Sequence, residues 1–195
     1  MEQIELLKHA LAAFAGIDEK NFNLSREYWQ PKHYQKGEFY NEYKNVCKNL
    51  GFIIDGVFRT YYVNTVTGDE KNIFFFSPQQ IIVSYKSFVN QAPCNYHTES
   101  MTDAKVLYIT YSQLEKLYQQ SHQWEHFGRL IAEKAFNMAM TRTEDFIFNT
   151  PEQRYKDLIE AHPQLANTIP LYHIASYLGI QGPSLSRIRR RMVSK

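Results

Sequence analysis

The last 25 residues, LYHIASYLGIQGPSLSRIRRRMVSK, constrain the fold more than any other stretch of the chain. Leu171 to Leu178 place Ile174, Ala175 and Leu178 at helical spacing, and the small Ala175 leaves room for a second helix to pack closely. Gly179 stops that helix, since a left-handed residue past a helix C-terminus costs glycine no steric strain. Ile180 supplies the apolar contact that often follows such a stop. Pro183 falls in the first turn of a new helix, where its missing N–H costs nothing. The spacing predicts a buried stripe of Leu185, Ile188 and Met192. It turns Ser184, Ser186, Arg187, Arg190 and Arg191 outward, with Arg189 completing the basic run. This is the layout of a helix-turn-helix whose second helix enters a DNA major groove.

Charge sharpens that reading. No acid follows Glu160, while Arg187, Arg189, Arg190, Arg191 and Lys195 are cationic. The whole chain is +2, so the part before this tail carries about −3. Such concentration is the electrostatic footprint of phosphate binding. Each phosphate neutralised adds roughly 0.9 to the salt slope of binding.

At 195 residues, 44% hydrophobic and 15% aromatic, the chain is long and apolar enough to bury a core. It has no run of 18 apolar residues, so no membrane span is expected. The opening MEQIELLKHALAAFAGIDEK is amphipathic and lacks the cationic lead of a secretory signal, so a cytoplasmic protein is expected. Cys47 and Cys94 are too few for a disulfide framework and show no metal spacing; Cys94 is expected to be a buried structural thiol.

Residues 1 to about 31 read as helical. Residues 36 to 111 change to short β-branched and aromatic runs, with strands expected at 52–54, 57–63, 71–76, 81–85 and 105–110. Asp55-Gly56 and Thr67-Gly68-Asp69 have the composition of hairpin turns. Strands at this spacing suggest a small barrel or roll. Helical period returns at 112–120, and a longer helix of roughly 40 Å is expected over 123–149. That helix carries two apolar stripes. Trp124, Phe127, Ile131, Ala135 and Met138 make one; Phe136, Met140, Thr143 and Ile147 make a partial second. One stripe can lie on the roll while the other needs a partner, which points to a parallel homodimer. Phe127, Ile131, Ala135 and Met138 are assigned as its contact. Thr150-Pro151-Glu152-Gln153 begins a further helix, with Thr150 as N-cap and Gln153 completing a capping box. The expected organisation is α+β: a sensor roll at 1–122, the dimerisation helix at 123–149 and an all-α helix-turn-helix unit at 150–195.

The order helix, β-roll, long helix, helix-turn-helix resembles the catabolite-activator/Fnr (Crp/Fnr) family of bacterial transcription regulators. KGEFYNEYKNVCKNLGFIIDGVFRTYYVNTVTGDEKNIFFF resembles that family's cyclic-nucleotide-binding roll, a double-stranded β-helix of jelly-roll type. LYHIASYLGIQGPSLSRIRRRM resembles its helix-turn-helix, in the variant where Leu185-Ser186-Arg187 precedes a basic run. The resemblance implies a homodimer, double-stranded DNA and RNA polymerase as partners, and no membrane.

Two departures carry chemistry. Cyclic-nucleotide binders of the family hold a Gly-Glu pair for the ribose and an Arg-Ser pair for the phosphate. Those positions here are Val83-Ser84 and Cys94-Asn95. A phosphate buried without its guanidinium loses a charge-assisted, often bidentate bond. Cyclic AMP is therefore not expected to bind in the usual mode. Only the pocket's place carries over, around Ile82, Val83, Ser84, Cys94 and Asn95, for an unidentified small molecule or for none. At the reader helix, Pro183 stands where many members place a base-reading glutamate, which removes that part of the code. Arg187 remains able to take guanine, Ser184 and Ser186 a phosphate or base edge, and Arg190 and Arg191 phosphates. The β-wing that usually follows is not in the sequence, so weaker or more salt-sensitive binding is expected.

His97, His122, His126 and His173 show no complete metal set and are expected at the surface. Iron–sulfur sensing needs about four cysteines. No nucleophile–base pair, phosphate loop or paired carboxylate points to an enzyme. The rival reading is a ligand-sensing or protein-interaction module that no longer reads DNA. Absence of affinity for mixed genomic DNA at low salt would select it.

Overall fold

The computed structural model describes residues 2–163 and 165–193; Lys195, one of the expected cations, lies outside them. The chain opens with α1 (Glu2–Ala15) and α2 (Glu19–Ser25), the latter capped by Asp18, whose side chain accepts from Asn21 N at 2.8 Å. A single 3₁₀ turn at Arg26–Tyr28 follows, and a strand starts at Gln30. The expected helix over 1–31 is therefore two helices and a turn.

Eight strands come next: β1 (Gln30–Tyr34), β2 (Phe39–Asn41), β3 (Asn49–Asp55), β4 (Phe58–Val63), β5 (Glu70–Phe76), β6 (Ile81–Ile82), β7 (His97–Ser100) and β8 (Ala104–Thr110). They form two antiparallel four-stranded sheets, in the orders β1-β8-β3-β6 and β2-β7-β4-β5. Tyr34, Ile53, Phe58, Phe76, Ile82, Ala104 and Val106 fill the space between the sheets. The first sheet is covered on its outer face as well: Leu50, Phe52, Leu107 and Ile109 pack on Leu7, Leu11, Trp124 and Phe127. Burial on both faces explains why β3 and β8 read as near-continuous apolar runs.

Three elements escaped sequence reading. β1 (QPKHY) is a mostly exposed edge strand holding Pro31, β2 is three residues long and β7 (HTES) is polar, so none shows an apolar period. The strand expected at 81–85 ends at Ile82, and α3 (Tyr85–Asn90) begins in its place. Thr67-Gly68 closes the β4–β5 hairpin as expected. Asp55-Gly56 does not close one; it hands the chain from one sheet to the other. Gly56 has φ +95° there, and a Cβ on it would lie 2.3 Å from that of Ala104.

The helical half contains α4 (Tyr111–Gln120), α5 (His122–Phe148), α6 (Pro151–Ala161), α7 (Leu165–Thr168), α8 (Leu171–Leu178) and α9 (Gly182–Val193). Thr150 caps α6 by accepting from Gln153 N, but Gln153 turns its own amide to Asp157, so the capping box is not closed. A separate apolar cluster joins Tyr155, Leu158, Ile174, Leu178, Leu185 and Ile188 to Val57, Phe75 and Met101 of the roll. The C-terminal helices are thereby packed on the outer face of the second sheet.

Candidate nucleic-acid interface and roll cavity

Helices α8 and α9 meet through local signals. Gly179 adopts φ +70°, and Ile180 N donates to Ala175 O at 3.0 Å, closing the helix stop. A Cβ on Gly179 would reach 2.7 Å from the Phe146 ring, so the site demands glycine for space as well as conformation. Leu185 and Ile188 are buried against α8. Met192 is 37% exposed, because the eight-residue α8 is too short to cover a third turn of α9. The expected stripe thus loses its last member.

The outer face of α9 presents Ser186, Arg187, Arg190 and Arg191 to solvent, with Ser184 and Arg189 half-buried. Arg187 Nη2 lies 3.3 Å from Ser184 Oγ, which steadies the side chain from its own helix. Arg191 leans toward Glu152 of α6 at 3.6 Å, so part of its charge is already answered.

Two arginines unnoticed in the sequence, Arg154 buried and Arg142 half-buried, orient α8. Arg154 of α6 donates to Asp145 O (3.1 Å), Asn149 O (2.9 Å) and Leu178 O (2.9 Å), gathering carbonyls at the ends of α5 and α8. Arg142 of α5 donates to Tyr177 O and stacks 3.7 Å from that residue's ring centroid. Neither motif has a sequence signal, since both depend on where helix ends meet.

A third arginine joins reader and roll. Arg59 of β4 is 4% exposed, lies 3.7 Å over the Tyr61 ring, pairs with Glu70, and reaches Glu99 Oε2 at 3.0 Å. Its Nη1 also lies 2.9 Å from Nδ1 of His173 on α8. Asn72 of β5 donates to His173 O at 3.3 Å and its N–H to Ser176 Oγ at 3.1 Å, while Ser176 Oγ donates to Glu70 O at 2.7 Å. His173, expected at the surface, is therefore buried in the seam between the two halves. A guanidinium can only donate, so Nδ1 accepts and the imidazole is neutral.

Burial, with the adjacent Arg59 charge, pushes the His173 pKa down from its ordinary 6.5 to about 4. A folded-state pKa below the unfolded one means that stability is complete above pH 6.5 and falls as pH drops toward 4. We predict that by pH 5 the chain loses about 2 kcal/mol through this group. Urea midpoints of wild type and His173→Asn at pH 7.5 and 5 test it. An identical pH response in the two proteins would contradict the assignment.

The second feature is a cavity of about 680 Å³ between β5, the 81–96 segment and α5. Val83, Ser84, Cys94 and Asn95 line it, as the sequence suggested. Ile82 does not: it is fully buried between the sheets, and its neighbour Ile81 faces the cavity. Successive strand residues point to opposite faces, so an error of one residue inverts the side. Sequence reading also missed the apolar walls formed by Phe74, Phe76 and Tyr96.

The four residues assigned to the dimer contact face their own subunit. Phe127 and Ile131 belong to the core of their own subunit, where they pack with Trp124 under α1. Ala135 and Met138 are half-buried and line the roll cavity together with Ile131. The exposed seam of α5 is the other stripe, with Phe136 at 65% and Ile147 at 67% exposure and Met140 and Thr143 between them.

Among the described residues no three His, Cys, Asp or Glu side chains are placed to hold a metal. None of the described helices is long and apolar enough to cross a membrane. Cys47 and Cys94 are both buried and unpaired.

No protein-family model matches the chain, and no curated protein matches it. Solved structures do. FixK2 from Bradyrhizobium japonicum superposes with a TM-score of 0.72 at 19% identity, over 85% of each chain. A structure described as a transcriptional regulator of the crp/fnr family, from Eubacterium rectale, gives 0.70 at 15% identity, over 92% of this chain and 85% of that one. A variant of CooA from Carboxydothermus hydrogenoformans gives 0.68 at 13% identity, over 94% and 84%. The chain has a Crp/Fnr-type fold, and the structures that it superposes on include transcription regulators.

Proposed function

Proceeding from that fold, we propose that the chain is a homodimeric DNA-binding transcription regulator, acting in the cytoplasm. It reads duplex DNA with α9 and takes a small-molecule effector in the roll cavity. The observation that carries this reading is the outer face of α9: Arg187, Arg190 and Arg191 exposed on a helix without an acid, held out by α8 and the Gly179 turn. Arg187 is assigned to a base edge, Ser184 and Ser186 to phosphate or base, and Arg189, Arg190 and Arg191 to phosphates. Binding to genomic duplex fragments should weaken with salt, the logarithmic slope growing by roughly 0.9 for each phosphate that the arginines neutralise. Affinity that is unmeasurable at low salt would favour the protein-interaction reading instead.

The dimer contact is assigned to Phe136, Met140, Thr143 and Ile147, the apolar stripe that α5 leaves outside its own subunit. A parallel pairing along this stripe can hold two α9 helices about 34 Å apart, one turn of DNA. The double substitution Phe136→Asp and Ile147→Asp is expected to give a folded monomer with at least a hundredfold weaker DNA binding. Sedimentation and circular dichroism read this out; a variant that still sediments as a dimer would exclude the stripe.

Cyclic AMP is not the assigned effector. No arginine and no acid lines the cavity, so the guanidinium that takes the phosphate and the carboxylate that takes the ribose hydroxyl in cyclic-nucleotide binders are both missing there.

A further inference from the structure

We infer that the roll cavity takes an amphipathic monocarboxylate, with its hydrocarbon or aryl body against α5 and its carboxylate beside Lys86. This rests on reading the cavity as an effector site and names the chemistry of its ligand. The volume of about 680 Å³ suits a molecule of ordinary metabolite size. One side is apolar: Phe74, Phe76 and Ile81 from the sheets face Ile131, Ala135 and Met138 from α5. The polar lining is gathered on the 84–95 segment, in Ser84, Lys86, Asn90 and Asn95.

Much of that polar lining is already committed. Ser87 Oγ donates to Ala92 O at 2.5 Å and accepts from Cys47 N at 2.9 Å. Asn90 Nδ2 donates to Lys86 O at 2.8 Å, and Ser84 Oγ lies 3.5 Å from Thr98 Oγ1. The cavity's other cation, Lys134, holds its ammonium 5.5 Å from the Phe14 ring of α1, a residue outside this cavity. Lys86 therefore supplies the positive charge on the polar side, and among the described residues no acid pairs with it.

A single ammonium beside an apolar wall discriminates in both directions. A nucleotide phosphate is gripped best by the forked donors of a guanidinium, which the lining lacks. A neutral apolar molecule fits the wall but leaves the ammonium without an anion. A monocarboxylate answers both. Its body would touch Ala132, Ala135 and Ala139 of α5, beside Phe136, which lines the cavity and also begins the stripe assigned to the dimer contact, so occupancy bears directly on that helix.

The test is calorimetric titration of the full chain with octanoate, octan-1-ol and cyclic AMP, with displacement of a neutral apolar dye as a second readout. Octanoate is expected to bind about tenfold more tightly than octanol, and cyclic AMP not to bind. Lys86→Gln, at an exposed position that leaves the core untouched, should abolish the tenfold preference while octanol binding persists. Ala135→Trp, which fills the cavity, should remove both ligands and the dye. Equal affinities for octanoate and octanol would overturn the carboxylate assignment and leave the cavity as an effector site. Failure of octanoate, octanol and dye to bind wild type would overturn the effector site itself. Octanoate retained by a folded Ala135→Trp variant would place the ligand elsewhere and overturn the inference.

Discussion

Arg59→Ala is expected to lower the stability of the chain by about 3–5 kcal/mol, the range for removing one member of a buried charge cluster. Arg59 is almost wholly buried, and its two terminal nitrogens serve Glu70, Glu99 and His173 together. Deleting it takes the guanidinium from a part-buried Glu99 and a donor from His173 Nδ1, leaving Asn72 Nδ2 at 3.3 Å from that nitrogen. The loss is directional as well. Arg59, with Asn72 and the Ser176–Glu70 hydrogen bond, fixes α8 on the second sheet, so α8 and α9 should exchange amide hydrogen faster while α1 and β3 stay protected. Urea titration gives the first quantity and hydrogen exchange the second. Arg59→Met fills the volume without the charge. If it matched wild type in both measurements, the seam would be held by its apolar contacts and the Asn72 and Ser176 hydrogen bonds without Arg59, and the electrostatic account would fail.

The second large effect lies in DNA binding. Arg187→Ala is expected to weaken binding to the preferred duplex tenfold to a hundredfold, about 1–3 kcal/mol, and to relax preference at one base pair in each half-site. Arg190→Ala should weaken all sequences alike and reduce the salt slope by about 1 for each phosphate that it leaves without a cation. Arg191→Ala should also weaken all sequences alike, by less than a full phosphate contact, because Glu152 already lies 3.6 Å from its guanidinium. All three side chains are exposed, so melting temperatures should not move. The preferred duplex comes from sequencing genomic fragments that the wild-type protein retains. Arg187→Ala retaining the same fragments with the same affinity would remove base reading from this residue.

The reader module was legible in sequence because its determinants are local. Gly179 sits at φ +70° one residue past Leu178, the helix before it spans 171–178 as read, and the helix after it, 182–193, holds Pro183 in its first turn. The strands β3, β4, β5 and β8 were legible for a different reason: heavy burial makes them apolar runs. Where burial is one-sided or slight, as in β1 and β7, the composition is polar and the signal disappears. The cavity was legible by place, through Val83, Ser84, Cys94 and Asn95, and not by content. Its walls come from β5 and α5, more than 50 residues apart in the chain, and no local pattern links Phe74 to Met138.

Sequence by itself determined the elements whose signals span a turn or two: the glycine stop, the proline start, the two apolar stripes of α5 and the basic face of α9. Local sterics and helical period act over such distances without help from the rest of the chain. Tertiary structure alone decided which stripe of α5 is spent inside the subunit, placing Phe127 and Ile131 in the core and leaving Phe136 and Ile147 outside. It alone turned Ile82 inward and Ile81 to the cavity, and it alone brought Arg59 to His173 across 114 residues. These choices rest on which surfaces exclude water from one another, and that is settled only when the sheets and helices are assembled.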